Sequence, residues 1–265
     1  MNNNKITAMD VYGYIKGLYG QLNNDEGILF GSPENPVGKI QVCWMADMAA
    51  IRNATGIGAD LIVAHEALVY PYPVLNEGGS LDFMSWRTNY NRLRLLSAEK
   101  ITVIRAHGTL DKFCIYDDFA GLLGLSNPVA MDGDWSIQAF DAHPVTYGEM
   151  IKQVKSATGL PYVRATNGDK NRIIKRVGLP WGGLGLSVNI GYQQRLVELG
   201  CDLFIAGEVD NYGLRFAADA GIDMIETGHE VSENPGLKHF SQTLGKAFPS
   251  VSVVFFENEP LWSVC

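Results

Sequence analysis

The most informative pattern along the chain is a short apolar run that ends abruptly in polar residues. Residues 61–64 are long enough for one buried strand, and His65 and Glu66 follow them directly. Parallel strands buried on both faces read as continuous apolar runs, and open α/β sheets bind ligands at the carboxyl ends of their strands. Two interpretations stay open for this segment: both side chains reach a metal or a reacting group, or His65 is a hydrogen-bonded structural residue.

Two later segments repeat this pattern and favour the metal interpretation. An apolar strand pattern from residue 101 leads to His107, and Asp111 follows four positions later. Another strand pattern at 222–225 leads to His229, and Glu233 again follows four positions later. Residues four apart lie on one helical face, and in a tight loop they can also converge. Imidazole nitrogen and carboxylate oxygen together suit zinc, manganese, iron or cobalt.

Strand and helix patterns alternate along the whole chain, which predicts an α/β fold. We expect an N-terminal α/β domain at residues 1–130 and a second α/β region at 131–265, whose C-terminal segment returns to the shared site. Helices are predicted at 7–22, 48–59, 84–98, 116–123, 146–158, 187–199, 211–220 and 237–248. Strands are predicted at 39–45, 61–64, 135–140, 162–165, 172–179, 203–206, 222–225 and 251–256, besides those beginning near 28 and 101.

Local signals refine three of these elements. Thr7 is a plausible N-cap of the first helix, and Thr146 with Glu149 three residues later forms a capping box. The Gly-rich segment 180–187 is either a tight strand-to-helix turn or a phosphate cradle, although it lacks the Gly-Lys-Ser/Thr ending of a P-loop. Ser187 is the expected cap of the helix that follows. Residues 70–79 are predicted to form a loop.

Charge and composition exclude several classes of partner. The chain has 265 residues, and 21 Lys and Arg against 29 Asp and Glu give a net charge of −8. This acidic balance, without a basic run, disfavours nucleic acid. No apolar stretch is as long as a membrane span, and no signal-type segment follows the polar start. The four cysteines are far apart, and an isolated cysteine inside an apolar strand, such as Cys43, is expected to be a small buried thiol. A reducing cytoplasm is the simplest compartment.

The ordered set of motifs resembles one family, the NIF3-like proteins, also called the YbgI or DUF34 family. Members are named GTP cyclohydrolase type 2 homologues or dinuclear metal centre proteins. Residues 60–70 (DLIVAHEALVY) resemble the family's DLIISHHPLLF segment, 107–111 its HTNLD and 228–233 its GHYATE. Residues 25–29 (DEGIL) resemble its Asp-Asn-x-Gly-Leu motif, and Gly207 with Glu208 its Thr-Gly-Asp/Glu turn. The likeness covers most of the chain.

The resemblance implies two α/β domains, a two-metal site in the cleft between them and a ring-shaped homohexamer. The side chains that match the family's metal ligands are those of His65, Asp111, His229 and Glu233. His107 matches a residue of the surrounding shell or of the substrate side. Glu66 stands where the family has a second histidine. Either the centre survives with a preference for harder, oxygen-preferring ions, or one metal position is weakened.

The leading functional hypothesis is a hydrolase with two divalent ions, which are Zn, Mn, Fe or Co. Asp111 and Glu233 would share the ions, and the remaining metal ligands would be His65, Glu66 and His229. A free carboxylate such as Glu208, or His107, would shuttle the proton. The family's naming implies a purine nucleotide as the small-molecule substrate. Two other hypotheses stay open: a non-catalytic, ring-forming metal-binding assembly or regulatory protein, and a metal-free relic.

Overall fold

The computed structural model describes residues 5–20, 22–71 and 82–263. From residue 72 on, the predicted loop at 70–79 lies outside these residues. The strands are β1 Gly27–Phe30, β2 Lys39–Cys43, β3 Leu61–Ala64, β4 Thr102–Arg105, β5 Ala130–Met131, β6 Gln138–Thr146, β7 Arg164–Ala165, β8 Ile173–Gly178, β9 Leu203–Ala206, β10 Asp223–Glu226 and β11 Ser252–Phe256. The α-helices are α1 Ala8–Tyr19, α2 Met48–Ile57, α3 Arg87–Ala98, α4 Gly108–Leu110, α5 Tyr116–Leu122, α6 Tyr147–Thr158, α7 Ile190–Glu198, α8 Asn211–Asp219 and α9 His229–Ala247.

The first of two compact units comprises residues 1–114 and 236–258. Its sheet has the order β1-β4-β3-β2-β11, in which β4, β3, β2 and β11 are parallel and β1 is antiparallel. Every residue of β3 and β4 is buried, as expected for strands covered on both faces. The unit's core packs Ile62 and Val103 of these strands with Ile51 of α2 and Leu96 of α3.

The second unit comprises residues 115–235 and 259–265. Its sheet has the order β5-β6-β8-β9-β10-β7, and β8, β9 and β10 are parallel while the other strands pair antiparallel. Phe204 of β9 and Met224 of β10 pack with Leu196 of α7 in its core. The α/β fold class is therefore confirmed, with a mixed sheet in each unit. The units divide at residue 114, earlier in the chain than the predicted boundary at 130, and again within α9 after Pro235.

Two helix starts follow the predicted capping chemistry. Thr7 caps α1 by accepting a hydrogen bond from the Asp10 amide, and the Asp10 carboxylate accepts one from the Thr7 amide in return. Thr146 and Glu149 form the same reciprocal pair at α6. Both caps satisfy amide groups that have no partner inside the helix. Sequence spacing was sufficient here because each cap is built within four residues.

Three other predictions of secondary structure were wrong. The last helix begins at His229 instead of 237. The prediction failed because Pro235 lies inside this helix, whereas a proline usually ends a helical pattern. Ser187 does not cap α7; its hydroxyl donates to Asp210, and a short 3₁₀ turn precedes the helix. The strand predicted at 135–140 begins at Gln138 and continues to Thr146. Among the residues that the structure describes, no helix is long and apolar enough to cross a membrane.

Candidate metal centre

In the first unit, two parallel strands deliver His65 and His107 to one edge of the sheet. The strands β3 and β4 are neighbours, and Ala64 pairs with Arg105 at their carboxyl ends. His65 follows β3 directly, and His107 lies two residues beyond β4. The chain then turns into α4, so that the Asp111 amide donates to the His107 carbonyl at 3.1 Å. This turn brings the Asp111 carboxylate back beside His65.

The ring of His65 is oriented as a metal ligand would be. It is completely buried, and its Nδ1 lies 3.0 Å from the Ala106 carbonyl oxygen. A carbonyl only accepts, so Nδ1 carries the proton and the lone pair of the neutral ring is on Nε2. Nε2 lies 3.7 Å from Asp111 Oδ1. Two ligands about 2.1 Å from one tetrahedral ion lie about 3.4 Å apart, so this pair fits a shared ion.

His107 lies beside this pair, with its ring centroid 4.9 Å from that of His65. One ligand-type atom from each of His65, His107 and Asp111 lies within 4.8 Å of the others. The Asn23 amide nitrogen is 3.0 Å from His107 Nδ1, and an Arg105 nitrogen is 3.3 Å from it. These two donors outweigh the one acceptor at the same atom, Asp25 Oδ2 at 3.3 Å, and favour the tautomer with its proton on Nε2. With this tautomer His107 is suited to donate a hydrogen bond from Nε2 more than to bind an ion through that atom.

Arg105 connects several of these residues. Its Nε donates to the His65 carbonyl at 3.0 Å, and one terminal nitrogen donates to Asp25 Oδ2 at 2.9 Å. The other terminal nitrogen donates to Glu66 Oε2 at 3.3 Å. One oxygen of the Glu66 carboxylate is therefore bound to a guanidinium, while Glu66 also belongs, with His65, to a group of side chains that could hold a metal ion. That Glu66 is a metal ligand stays a prediction. The Asp25 oxygen is also 3.3 Å from His107 Nδ1.

Glu26 holds the segment that carries His107 and Asp111. Its Oε1 accepts hydrogen bonds from the amides of His107 at 2.9 Å and Thr109 at 2.7 Å, and its Oε2 accepts from the Thr109 hydroxyl at 2.9 Å. A carboxylate is favoured where amide groups of a helical turn point outward. The two acids of the DEGIL motif thus have separate tasks: Asp25 pairs with Arg105, and Glu26 fixes the turn after β4.

The second unit builds a matching arrangement at its own sheet. The strands β9 and β10 are parallel neighbours, with Ala206 paired to Glu226 at their carboxyl ends. Glu208 follows β9, and His229 begins α9 shortly after β10. His229 Nε2 lies 3.5 Å from Glu233 Oε1, one helical turn on, while Nδ1 lies 3.0 Å from Glu208 Oε2. An ionised carboxylate only accepts, so Nδ1 donates and Nε2 faces Glu233. Such a carboxylate–histidine contact commonly orients a metal ligand.

The Gly-rich segment 180–187 closes against this second pair. A Cβ atom on Gly182, whose φ is +51°, would lie 2.1 Å from Glu233 Oε1 and 3.2 Å from His229 Nε2. The Gly182 amide donates to the Ser232 hydroxyl at 2.9 Å, and its carbonyl accepts from the Glu208 amide at 2.7 Å. Two further amides of the segment, those of Leu184 and Leu186, donate to the Trp181 and Gly183 carbonyls within it. Of the two alternatives, the segment is therefore a tight turn and not a phosphate cradle. It lies close to His229 and Glu233 at Gly182, where there is no side chain.

Burial changes the acid–base properties of groups outside these pairs. It raises the pKa of Glu230, which follows His229, and that of Glu226 at the end of β10, where the Val209 amide and Arg164 act in the opposite direction. Burial also raises the pKa of the Cys43 thiol, and that of Cys201 to about 12. These thiols are protonated at neutral pH, and neither belongs to the candidate metal-binding groups found among the described residues. They are small buried groups, as the sequence predicted for Cys43.

The site residues predicted from the sequence fall into two groups, one in each unit. His65, Glu66, His107 and Asp111 lie together in the first unit, and Glu208, His229 and Glu233 lie together in the second. That both sets serve one centre stays a prediction. Sequence reasoning missed Arg105, and an arginine at the end of a mostly apolar strand pattern was the signal that could have found it. It gave no role to Asn23 and did not connect Gly182 to His229 and Glu233.

These features define a class: a two-sheet α/β protein with clusters of histidine and carboxylate side chains that could hold a metal ion. A family model described as Duf34/NIF3 (NGG1p interacting factor 3) matches residues 17–260, and the chain belongs to this family. The resemblance found in the motifs is thereby confirmed.

Relatives and solved structures agree with this assignment. A protein of Chlamydia muridarum named "GTP cyclohydrolase 1 type 2 homolog" is 26% identical over 260 residues, which cover 91% of this chain and 94% of the relative. A protein of Haemophilus influenzae with the same name is 29% identical over 77% of this chain and 78% of the relative. The crystal structure of a Bacillus cereus protein related to NIF3 superposes with a TM-score of 0.79 at 13% identity, covering 99% of this chain and all of the other. That likeness shows the fold alone.

Proposed function

We propose that this protein is a divalent-metal-dependent hydrolase. The observation that carries the proposal is the shared geometry of two histidine–carboxylate pairs. In each, the Nδ1 of the histidine is engaged by an acceptor, and its Nε2 lies 3.7 Å (His65 to Asp111) or 3.5 Å (His229 to Glu233) from a carboxylate oxygen. Both distances suit two ligands of one zinc-like ion. A divalent ion supplies Lewis-acid activation of water and of a carbonyl or phosphoryl oxygen.

The protein's own residues supply the acid–base and orienting tasks. His107 would hold its proton on Nε2 and donate a hydrogen bond from it to the oxygen that gains negative charge, since donors from Asn23 and Arg105 face its Nδ1. Glu208 would hold the ring of His229 through one oxygen. Its side chain is 49% exposed, so the carboxylate could take up the proton that the attacking water releases and return it to the leaving group.

The substrate class of the proposal comes from the relatives. Their name refers to GTP cyclohydrolase, so we expect a purine nucleotide. GTP therefore heads the panel of compounds to be tested, together with other nucleotides and generic phosphoesters.

The test is hydrolysis by protein that has been stripped with a chelator and reloaded separately with Zn, Mn, Fe or Co. We expect turnover that needs both an ion and Asp111, and Asp111→Ala to lose it. Asp117→Asn, an exposed carboxylate on α5, is the matched control and should retain turnover. Bound metal without turnover of any compound would contradict the hydrolase and favour the non-catalytic metal-binding assembly. Failure to bind any of the four ions would favour the metal-free relic.

Several finer expectations belong to the same proposal. The resemblance implies two ions per centre, with ligands from His65, Asp111, His229 and Glu233 meeting at one place, as well as a homohexamer and a cytoplasmic location. Native mass spectrometry of metal-loaded protein would measure both the number of subunits and the ions per subunit. A monomer at micromolar concentration would contradict the ring.

A further inference from the structure

Arg105 is a permanent cation buried beside the first histidine–carboxylate pair. Its side chain is 3% exposed, and a buried charge is tolerated only where it is paired and hydrogen-bonded. Its partners are the carboxylates of Asp25 and Glu66, the His65 carbonyl and the Nδ1 atom of His107, at 2.9 to 3.3 Å.

The side chains around the guanidinium are of the kinds that bind metals. Two carboxylates and one imidazole are a donor set that divalent transition metals accept. Here those donors face nitrogen atoms that already carry a positive charge. Asp25 Oδ2 lies 2.9 Å from one terminal nitrogen, and Glu66 Oε2 lies 3.3 Å from the other. The guanidinium supplies one positive charge against their two negative charges, and its nitrogen atoms contact both carboxylates.

We propose that the Arg105 guanidinium stands in place of a metal ion among Asp25, Glu66 and His107, so that the first unit binds its single ion at His65 and Asp111. The proposal rests on the metal binding proposed above and narrows it. Glu66 is then the counter-ion of Arg105 and not a metal ligand.

Coulomb repulsion supports the exclusion of a further ion at this position. An ion bound to Glu66 Oε2 at about 2.1 Å would lie at most about 5.4 Å from the Arg105 nitrogen that is 3.3 Å from that oxygen. At this distance a dication and a guanidinium repel strongly in a poorly solvated setting. Because the arginine is held by the His65 backbone carbonyl as well as by side chains, it does not swing away cheaply.

The test counts metal ions per chain by inductively coupled plasma mass spectrometry, after dialysis of the full-length protein against Zn and, separately, Mn. Four proteins are compared: wild type, Glu66→Gln, Arg105→Ala and Arg105→Lys. Glu66→Gln should bind as many ions as the wild type. Arg105→Ala should bind one ion more per chain, because Asp25 and Glu66 then lack their cation. Arg105→Lys keeps the charge and should match the wild type.

The outcomes separate this inference from the proposed function. Loss of one ion in Glu66→Gln, with an unchanged circular dichroism spectrum, would overturn the inference, as would an unchanged count in a folded Arg105→Ala protein. If Arg105→Ala does not fold, the count in Glu66→Gln decides alone, since glutamine preserves the shape and an acceptor oxygen. A wild type that binds no ion would instead contradict the proposed function itself.

Discussion

The two histidine–carboxylate pairs resemble each other in geometry and differ in how the chain holds them. Each follows neighbouring parallel strands, and the nitrogen–oxygen distances are 3.7 and 3.5 Å. In the first pair, a backbone carbonyl of Ala106 fixes the ring of a fully buried His65. In the second, the half-exposed side chain of Glu208 fixes the ring of His229.

This difference determines what each pair depends on. His65 and Asp111 come together only when β3 and β4 pair in register, so the first pair is a product of the folded sheet. His229 and Glu233 are one turn apart on α9, so the second pair needs little more than that helix and the carboxylate beside it. A substitution cannot remove the backbone carbonyl that orients His65, but a substitution of Glu208 removes the group that orients His229.

The largest expected effect comes from removing a carboxylate of either pair. Asp111→Ala and Glu233→Ala should each weaken metal affinity by more than about 100-fold, because loss of a ligand should exceed the 10- to 100-fold effect typical of orienting partners. Isothermal titration calorimetry with Zn measures this. Unchanged affinity in Glu233→Ala would restrict the metal centre to the first pair.

Loss of Glu208 should affect the second pair selectively. Glu208→Ala removes the acceptor of His229 Nδ1 and should lower metal affinity by about 10- to 100-fold. Glu208→Gln should cost less, since an amide oxygen can accept the same hydrogen bond. The same titrations provide the measurement. Equal affinities for all three proteins would show that the contact does not orient a ligand.

The turn at Gly182 should tolerate no side chain. Gly182→Ala places a Cβ against Glu233 at a positive φ and should cost about 1–3 kcal/mol of the free energy of unfolding. The control is Gly191→Ala on α7, where nothing lies within 4 Å of the added atom and alanine should stabilise the helix by up to about 1 kcal/mol. Urea denaturation of both variants distinguishes them. Equal stabilities would contradict the close approach.

The helix caps offer a smaller comparison between the two units. Thr7→Ala at α1 and Thr146→Ala at α6 should each cost about 0.5–2 kcal/mol, the usual value of a side-chain N-cap. Urea denaturation at neutral pH measures both. An unchanged free energy of unfolding in either variant would contradict the role of that threonine as a cap.

The smallest expected effect is the pH dependence of these caps. Hydrogen bonds from Thr7 lower the pKa of Asp10, and those from Thr146 lower the pKa of Glu149. A lowered folded-state pKa adds stability above the carboxyl group's ordinary pKa, and that stability is lost as pH falls through the lowered value. The deficit of Asp10→Asn and Glu149→Gln should therefore shrink between neutral pH and pH 3. A deficit that is independent of pH would contradict an ionic contribution.

Sequence patterns predicted those parts of the molecule that depend on short-range order. The strand ends before His65, His107 and His229, the two threonine caps and the spacing of His229 and Glu233 all follow from local periodicity. The start of α9 was missed because Pro235 is tolerated inside a helix that carries on beyond it. Ser187 was misassigned because its partner, Asp210, is remote in sequence.

The chemistry around Glu66 shows a different limit. From sequence alone, a glutamate that follows a histidine at a strand end predicts a metal ligand. The contact between Glu66 and Arg105 of the neighbouring strand arises only when β3 and β4 pair in the folded sheet. Likewise, Glu26 and Asp25 form one motif in sequence, yet the structure assigns one to amide groups and the other to a guanidinium. Which charged side chains meet depends on the register in which two strands pair, and the sequence of one strand alone does not determine that register.

The central claim is that His65 and Asp111 hold a divalent ion, and anomalous X-ray scattering tests it most directly. A crystal grown with Zn or Mn should show an anomalous peak about 2.1 Å from both His65 Nε2 and Asp111 Oδ1, with none between Asp25 and Glu66. Well-ordered density for His65 and Asp111 at saturating metal, without a peak beside them, would contradict the account.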